Sequence, residues 1–322
     1  MNNAANESAP HLRPEVLTRI SRLELRARRI VEGFVSGMHA SPFKGFSIEF
    51  ADHRPYSPGD EPRHIDWRVY AKSNRFYVKE YEVETNVRTH LLLDCSGSMA
   101  YPEHPGDGAA PGDPGARLSK WDYAATLAVS LAHLLVLEQS DAAGLVLFDE
   151  QVRAQLPVSA KRASLMELAE FVTRHAPAGK TDLVVPLAEL AGRIPRSGLV
   201  IIISDLLADP EALIDGLQRF EAARHDVIVL HVLDHDELEF PFTDRTLFEG
   251  MEEKGIEITT DPQSLRDSYR RAVQQFIERV RGACLDRNID YALFSTADPL
   301  ETALPAFLAN RMHHVARGRI RR

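Results

Sequence analysis

The sequence predicts an α/β fold: a mostly parallel sheet with helices on both faces, joined to an N-terminal helix and a small β-rich layer. Three observations carry that prediction. Short apolar runs at 89–94, 199–204, 227–233 and 290–295 suit strands buried on both faces, and stretches of helical period separate them. Over 322 residues the chain is 44% hydrophobic and 26% charged, an ordinary globular mixture long enough to bury a large core without a disulfide or metal staple. Residues 43–85 break the rhythm with aromatic alternation and turn chemistry, which marks a second, β-rich layer.

The elements follow in order. Residues 1–12 read as a loose tail. From Pro14 to Met38, Leu17, Ile20, Leu23, Ala27, Ile30, Val31 and Phe34 recur at helical spacing, with arginines such as Arg19, Arg22, Arg26 and Arg29 on the wet face. Such a face packs on its own protein, or it docks on a membrane or an acidic partner. Phe46, Ile48 and Phe50 have the period of a strand, as do Phe76 and Val78, and Pro58-Gly59 suits a type II turn. Charged residues crowd this segment beside Trp67, as an ion-pair cluster or a partner-binding surface.

From residue 87 the alternation predicts strands at 89–94, 144–148, 152–156, 199–204, 227–233 and 290–295. Helices are predicted at 120–138, 162–175, 183–193, 210–224 and 264–287. A Pro/Gly-dense stretch at 101–117 reads as a long mobile loop. The division expected is a tail at 1–12, the helix and β-rich segment at 13–85, the α/β domain at 86–312 and a basic tail at 313–322. The arginines from Arg311 onward read as a solvated end or an electrostatic docking arm.

Composition narrows the function. A formal net charge of −9 argues against general nucleic-acid binding. Two cysteines, Cys95 and Cys284, form no disulfide framework and fit a reducing compartment. The N-terminus is polar, and the longest apolar stretch, at 125–137, is interrupted by Ser130 and His133, so no secretory signal and no membrane span are expected. A cytoplasmic protein is the expectation.

Ligand sites in open α/β sheets form at the carboxyl ends of the strands. Three segments fall there: Asp94-Cys95-Ser96-Gly97-Ser98, Gly179-Lys180-Thr181-Asp182 and Ser204-Asp205. Asp94, Ser96, Ser98, Thr181 and Asp205 together offer two carboxylates and three hydroxyls. These are hard oxygen donors, suited to Mg2+, with Mn2+ or Ca2+ possible, rather than zinc. Neutral hydroxyl ligands leave such an ion short of negative charge, so it seeks a carboxylate from outside. Ser98 or Asp182 taken singly also suits helix capping.

The series Asp94-x-Ser96-x-Ser98, Thr181, Asp205 resembles the metal-ion-dependent adhesion site of von Willebrand factor A domains. That resemblance implies a Rossmann-like sheet, direct contact of Ser96, Ser98 and Thr181 with the ion, and contact of Asp94 and Asp205 directly or through water. Upstream, Glu49-Phe50, Arg54, Tyr56, Gly59-Asp60, Arg63 and Ile65-Asp66-Trp67 resemble the signature of the bacterial domain-of-unknown-function family fifty-eight. Two positions depart from it, Glu61 where a second Asp is expected and Lys72 where Arg is usual. The resemblance implies a partner of the MoxR-type AAA+ ATPase class and a chaperone-like adaptor role, with the signature residues as partner-binding or structural groups.

A non-enzymatic, metal-dependent interaction module is therefore expected, with no catalytic residue. Two other readings stand beside it. A phosphatase of the haloacid dehalogenase type would use Asp94 as nucleophile, but it needs a carboxylate two residues on, where Ser96 stands. A purely structural scaffold would use the metal only to order its loops. Gly179-Lys180-Thr181 lacks the upstream glycine of a phosphate loop, which leaves ATP binding to a partner.

Overall fold

The computed structural model describes residues 14–35, 49–56, 65, 67–73, 75–82, 87–102, 117–194, 198–252 and 255–320. It divides into two compact units, Phe43–Val87 and the remainder.

The remainder opens with helix α1 (Pro14–Val35). In the smaller unit β1 (Glu49–Pro55) pairs antiparallel with β2 (Tyr77–Glu82), and α2 (Trp67–Ser73) lies between them in sequence. Two signature residues can be placed by side chain. Tyr56 meets the edge of Phe76, which stacks on Tyr70 at 4.4 Å, while Trp67 packs edge-on against both Tyr70 and Phe76 and stays 60% exposed. The side chains of Arg54, Asp60, Arg63 and Asp66 lie outside the described residues, as does the ion-pair cluster expected of them.

The larger unit continues with β3 (Arg88–Asp94), α3 (Lys120–His133), β4 (Ala142–Phe148), β5 (Val152–Ser159) and α4 (Ala163–Arg174). Next come α5 (Val184–Arg193), β6 (Leu199–Ser204), α6 (Pro210–Ala222), β7 (Asp226–Leu233) and the short α7 (His235–Glu239). A hairpin of β8 (Thr246–Glu249) and β9 (Glu257–Thr260) leads into α8 (Pro262–Asp286), β10 (Asp290–Ser295) and α9 (Leu300–Ile320). The main sheet has the order β10-β7-β6-β3-β4-β5, parallel except for β5, which turns back on β4 as the predicted hairpin.

Alternation along the central strands loads both faces with apolar side chains. Leu92, Val146, Val200, Ile202 and Val229 point into one layer, where they meet Leu187 and Leu190 of α5, Leu213, Leu217 and Phe220 of α6, and Val280 of α8. Their neighbours Leu91, Leu93, Leu145, Ile201 and Ile203 are also fully buried. Helix α3 packs on β3, β6 and β7, and α1, α4 and α9 surround α3. Ser119 starts α3 by accepting from the Asp122 N–H, and Asp261 caps α8 ahead of Pro262.

Two boundaries differ from the expected division. Helix α1 groups with the sheet unit, not with residues 43–87, because its stripe of Ile20, Ala27, Ile30 and Val31 is buried against α3, α4 and α9. The basic end is not a separate tail from Arg311 onward: α9 runs on to Ile320, and Arg311 is only 5% exposed, paired with Asp226 and Asp290. The loop at 103–116 lies outside the described residues. Among the described residues, no helix is long and apolar enough to cross a membrane.

Burial on β3 has a pH consequence. His90 is 6% exposed, and burial, with Arg88 and His225 nearby, pushes its imidazole down to about 4 from an ordinary 6.5. The folded chain keeps it neutral while the unfolded chain takes up the proton below 6.5, so stability is present above that pH and falls as pH drops toward 4. A loss of about 1–2 kcal/mol at acid pH is expected after discounting for partial solvent access. Urea midpoints measured at neutral and mildly acid pH test this, and His90→Leu should reduce the dependence, leaving the share of His231, whose imidazole burial also pushes down to about 4.

Candidate functional site

The strand order reverses direction at β3, whose neighbours β4 and β6 carry the chain outward to opposite edges, and this is the switch point where doubly wound sheets bind ligands. Asp94 ends β3, and Ser204-Asp205 ends β6. The Leu93↔Ile203 register sets Asp94 level with Ser204, whose hydroxyl donates to Asp94 Oδ2 at 2.5 Å. The other oxygen, Oδ1, accepts the Ser96 N–H at 2.9 Å. A turn of 3-10 helix (Gly97–Ala100) follows and brings Ser96 Oγ to 3.1 Å from Ser98 Oγ.

The loop before α5 is sewn to this turn by backbone bonds, Gly97 N to Gly179 O at 2.9 Å and Ala178 N to Cys95 O at 2.8 Å. Thr181 lies two residues past Gly179, which has a φ of +90°. Asp182 accepts the Val184 N–H at 2.8 Å in the turn that leads into α5, but the N-cap itself is Leu183, so the capping role that Asp182 also suited is not the one it takes. Cys95 points into the core, and burial, with Asp94 and Asp149 near, pushes its thiol up to about 12, so it is inert.

The electrostatics are lopsided. Asp94, Ser96 and Asp205 are fully buried and Ser98 nearly so. Lys120, also fully buried at the start of α3, donates to Asp205 Oδ2 at 2.7 Å and to Glu237 Oε1 at 2.6 Å. Burial alone lowers the affinity of that ammonium for its proton, but the two carboxylates outweigh burial and keep it charged. Burial pushes Asp205 up, yet Lys120 with the Ser98 hydroxyl and the Leu207 N–H brings it below its ordinary range. Asp94 goes the other way, raised by burial and by the charge on Asp205. Asp205 and Glu237 thus share one ammonium, and none of the ion pairs among the described residues reaches Asp94.

The donor set fits a hard divalent cation: buried carboxylates facing each other across serine hydroxyls, with a charge deficit on the Asp94 side. Among the described residues no group of three or more His, Cys, Asp or Glu side chains is arranged to hold a metal, so an ion here depends on the hydroxyls.

Three residues of this site were not anticipated. Lys120 is a lysine on a buried helix face, a position that charge alone leaves open. Glu237 comes from α7, where it also closes a capping box with Asp234. Glu252 sits in the turn of the β8–β9 hairpin, where its carboxylate accepts from Thr181 Oγ1 at 2.5 Å and from the Thr181 N–H at 3.1 Å. Beside Ser98 and Lys120 opens a cavity of about 550 Å³, walled by Phe240, Phe242, Phe248 and Tyr269.

Gly97 is required by close approach. A Cβ there would lie 2.8 Å from the Met251 carbonyl and 3.0 Å from that of Gly179, both backbone. Gly97→Ala should cost about 1–3 kcal/mol and lift the hairpin off the turn. Denaturant unfolding reads the first effect, and faster amide exchange at 246–260 reads the second.

The chain therefore has a doubly wound α/β fold with a buried acid-and-hydroxyl cluster at its switch point. It belongs to the family described as Protein of unknown function DUF58, which matches residues 52–279. Uncharacterized protein Rv1480 from Mycobacterium tuberculosis is 27% identical over 263 residues, 80% of this chain and 78% of that protein. Uncharacterized protein Mb1516 from Mycobacterium bovis matches with the same identity and coverage. Among solved structures, conserved hypothetical protein BatB from Bacteroides thetaiotaomicron is similar with 16% identity and a TM-score of 0.45, covering 70% of this chain and 99% of that one. The SpRpn10 VWA domain is similar with 12% identity and a TM-score of 0.37, covering 68% and 94%.

Proposed function

We propose that this chain is a non-enzymatic, divalent-metal-dependent interaction adaptor that works in the cytoplasm with a MoxR-type AAA+ ATPase. The observation that carries the reading is the buried pair Asp94 and Asp205 with Ser96 and Ser98 between them, where the one buried ammonium, Lys120, pairs with Asp205 and Glu237 and not with Asp94. In this reading Asp94, Ser96, Ser98, Thr181 and Asp205 hold Mg2+, and Mn2+ or Ca2+ can stand in for it. The ion supplies an open coordination position with residual positive charge, which an acidic side chain of a partner fills. The aromatic-walled cavity next to Ser98 offers apolar area for the rest of the partner segment.

The test is reconstitution with a MoxR-type ATPase, with Mg2+ and with EDTA, using the parent chain and Asp94→Asn. Complex formation that needs both the ion and Asp94 supports the adaptor. Complex formation indifferent to both would make the metal structural and move the interface elsewhere.

A further inference from the structure

The hairpin β8–β9 stands outside the alternating α/β elements, yet its turn lies against the candidate metal loops. Gly250 N–H closes the turn onto Ile256 O at 2.8 Å, and the Met251 carbonyl lies so close to Gly97 that no Cβ fits between them. From this turn Glu252 clamps Thr181 with both oxygens, one on the hydroxyl and one on the backbone N–H. A threonine hydroxyl has one proton and two lone pairs. With the proton committed to Glu252, the lone pairs are turned away from that carboxylate and are free to accept a cation.

We infer that Glu252 is a positioning residue of the metal site, fixing the Thr181 hydroxyl as a lone-pair donor to a divalent ion. The inference rests on the metal reading of Asp94, Ser96, Ser98, Thr181 and Asp205. Two consequences follow from the contact itself. A carboxylate accepting the hydroxyl proton raises the basicity of the oxygen, as outer carboxylates do for other metal ligands. The two-point clamp also fixes the backbone at Thr181, so the ligand is held before the ion arrives. The hairpin is then part of the site: whatever moves it also moves the orientation of Thr181.

The experiment is a Mn2+ titration of the full chain, with free Mn2+ read by electron paramagnetic resonance. The variants are Asp94→Asn, Thr181→Val, Glu252→Gln and the double variant Thr181→Val/Glu252→Gln, each checked for an unchanged metal-free melting curve. Glu252→Gln should weaken Mn2+ binding by about 10- to 100-fold, the usual cost of losing an outer partner of a metal ligand. In the Thr181→Val background the same change should have no further effect, because the hydroxyl it positions is gone. Thr181→Ser, which keeps the hydroxyl, should restore the sensitivity to Glu252→Gln.

Parent-like binding by Glu252→Gln, with binding lost in Asp94→Asn, would overturn the role of Glu252 and leave the metal site standing. Tighter binding by Glu252→Gln would overturn it too, by making the carboxylate a blocker. Penalties that add in the double variant would mark a general structural effect and reject the positioning role. Failure of the parent chain to bind Mn2+ would remove the metal reading and this inference together.

Discussion

In the Asp94→Asn variant, Mg2+ no longer raises the melting temperature, whereas the parent chain gains about 2.7 kcal/mol at an ion concentration 100 times its Kd. In a domain of this size that corresponds to a shift of roughly 5–10 °C. The substitution is chosen because the amide keeps acceptor and donor capacity for Ser96 and Ser204, the two groups that bond Asp94. It removes a carboxylate that burial and the charge of Asp205 already disfavour. Metal-free stability should therefore hold or rise slightly while the response to the ion disappears. A drop in metal-free stability with a preserved Mg2+ response would reverse the assignment and make Asp94 a folding residue only.

Lys120→Met should show the largest loss of stability of any single change in the site. The ammonium is fully buried, and it is the cation that Asp205 and Glu237 share. Removing one partner of a buried ionic cluster costs about 3–5 kcal/mol, because the remaining charge is left uncompensated. The metal-free variant should melt on the order of 10 °C lower. Added Mg2+ should then recover more stability than it gives the parent chain, since the ion becomes the main positive charge available to Asp205. Calorimetric scans with and without Mg2+ decide the point. Equal Mg2+ gains in the two proteins would mean that ion and ammonium do not act on the same carboxylate.

Much of the fold could be read before the structure, for identifiable reasons. The runs that became β3, β6 and β7 are buried on both faces, so their apolar content is continuous and their limits are sharp, while β10, at the sheet edge and mostly half-buried, was legible from its apolar run alone. Ends of strands then locate Asp94 and Asp205 by topology alone, since a parallel sheet brings all such ends to one rim. What stayed hidden has equally physical causes. Helix α9 carries Pro305 in its interior, which in a sequence reads as a break, and its apolar residues follow no one stripe. The β8–β9 strands are four residues each with few buried side chains, below what periodicity detects. Contacts made across long separations leave no local trace: Glu252 meets Thr181 from 71 positions away, and Lys120 meets Asp205 from 85. The arginine at 311 illustrates the converse, a residue whose basic neighbours in sequence suggested solvent but whose partners, Asp226 and Asp290, come from strand starts.

The most direct test of the metal reading is a crystal structure of the chain grown with Mn2+, with anomalous scattering recorded at the manganese edge. One strong peak is expected at the carboxyl ends of β3 and β6, bonded by oxygens of the Asp94, Ser96, Ser98, Thr181 and Asp205 set, and no peak there in Asp94→Asn crystals. A parent-chain map with manganese only at surface carboxylates, and Lys120 alone balancing Asp205, would contradict it.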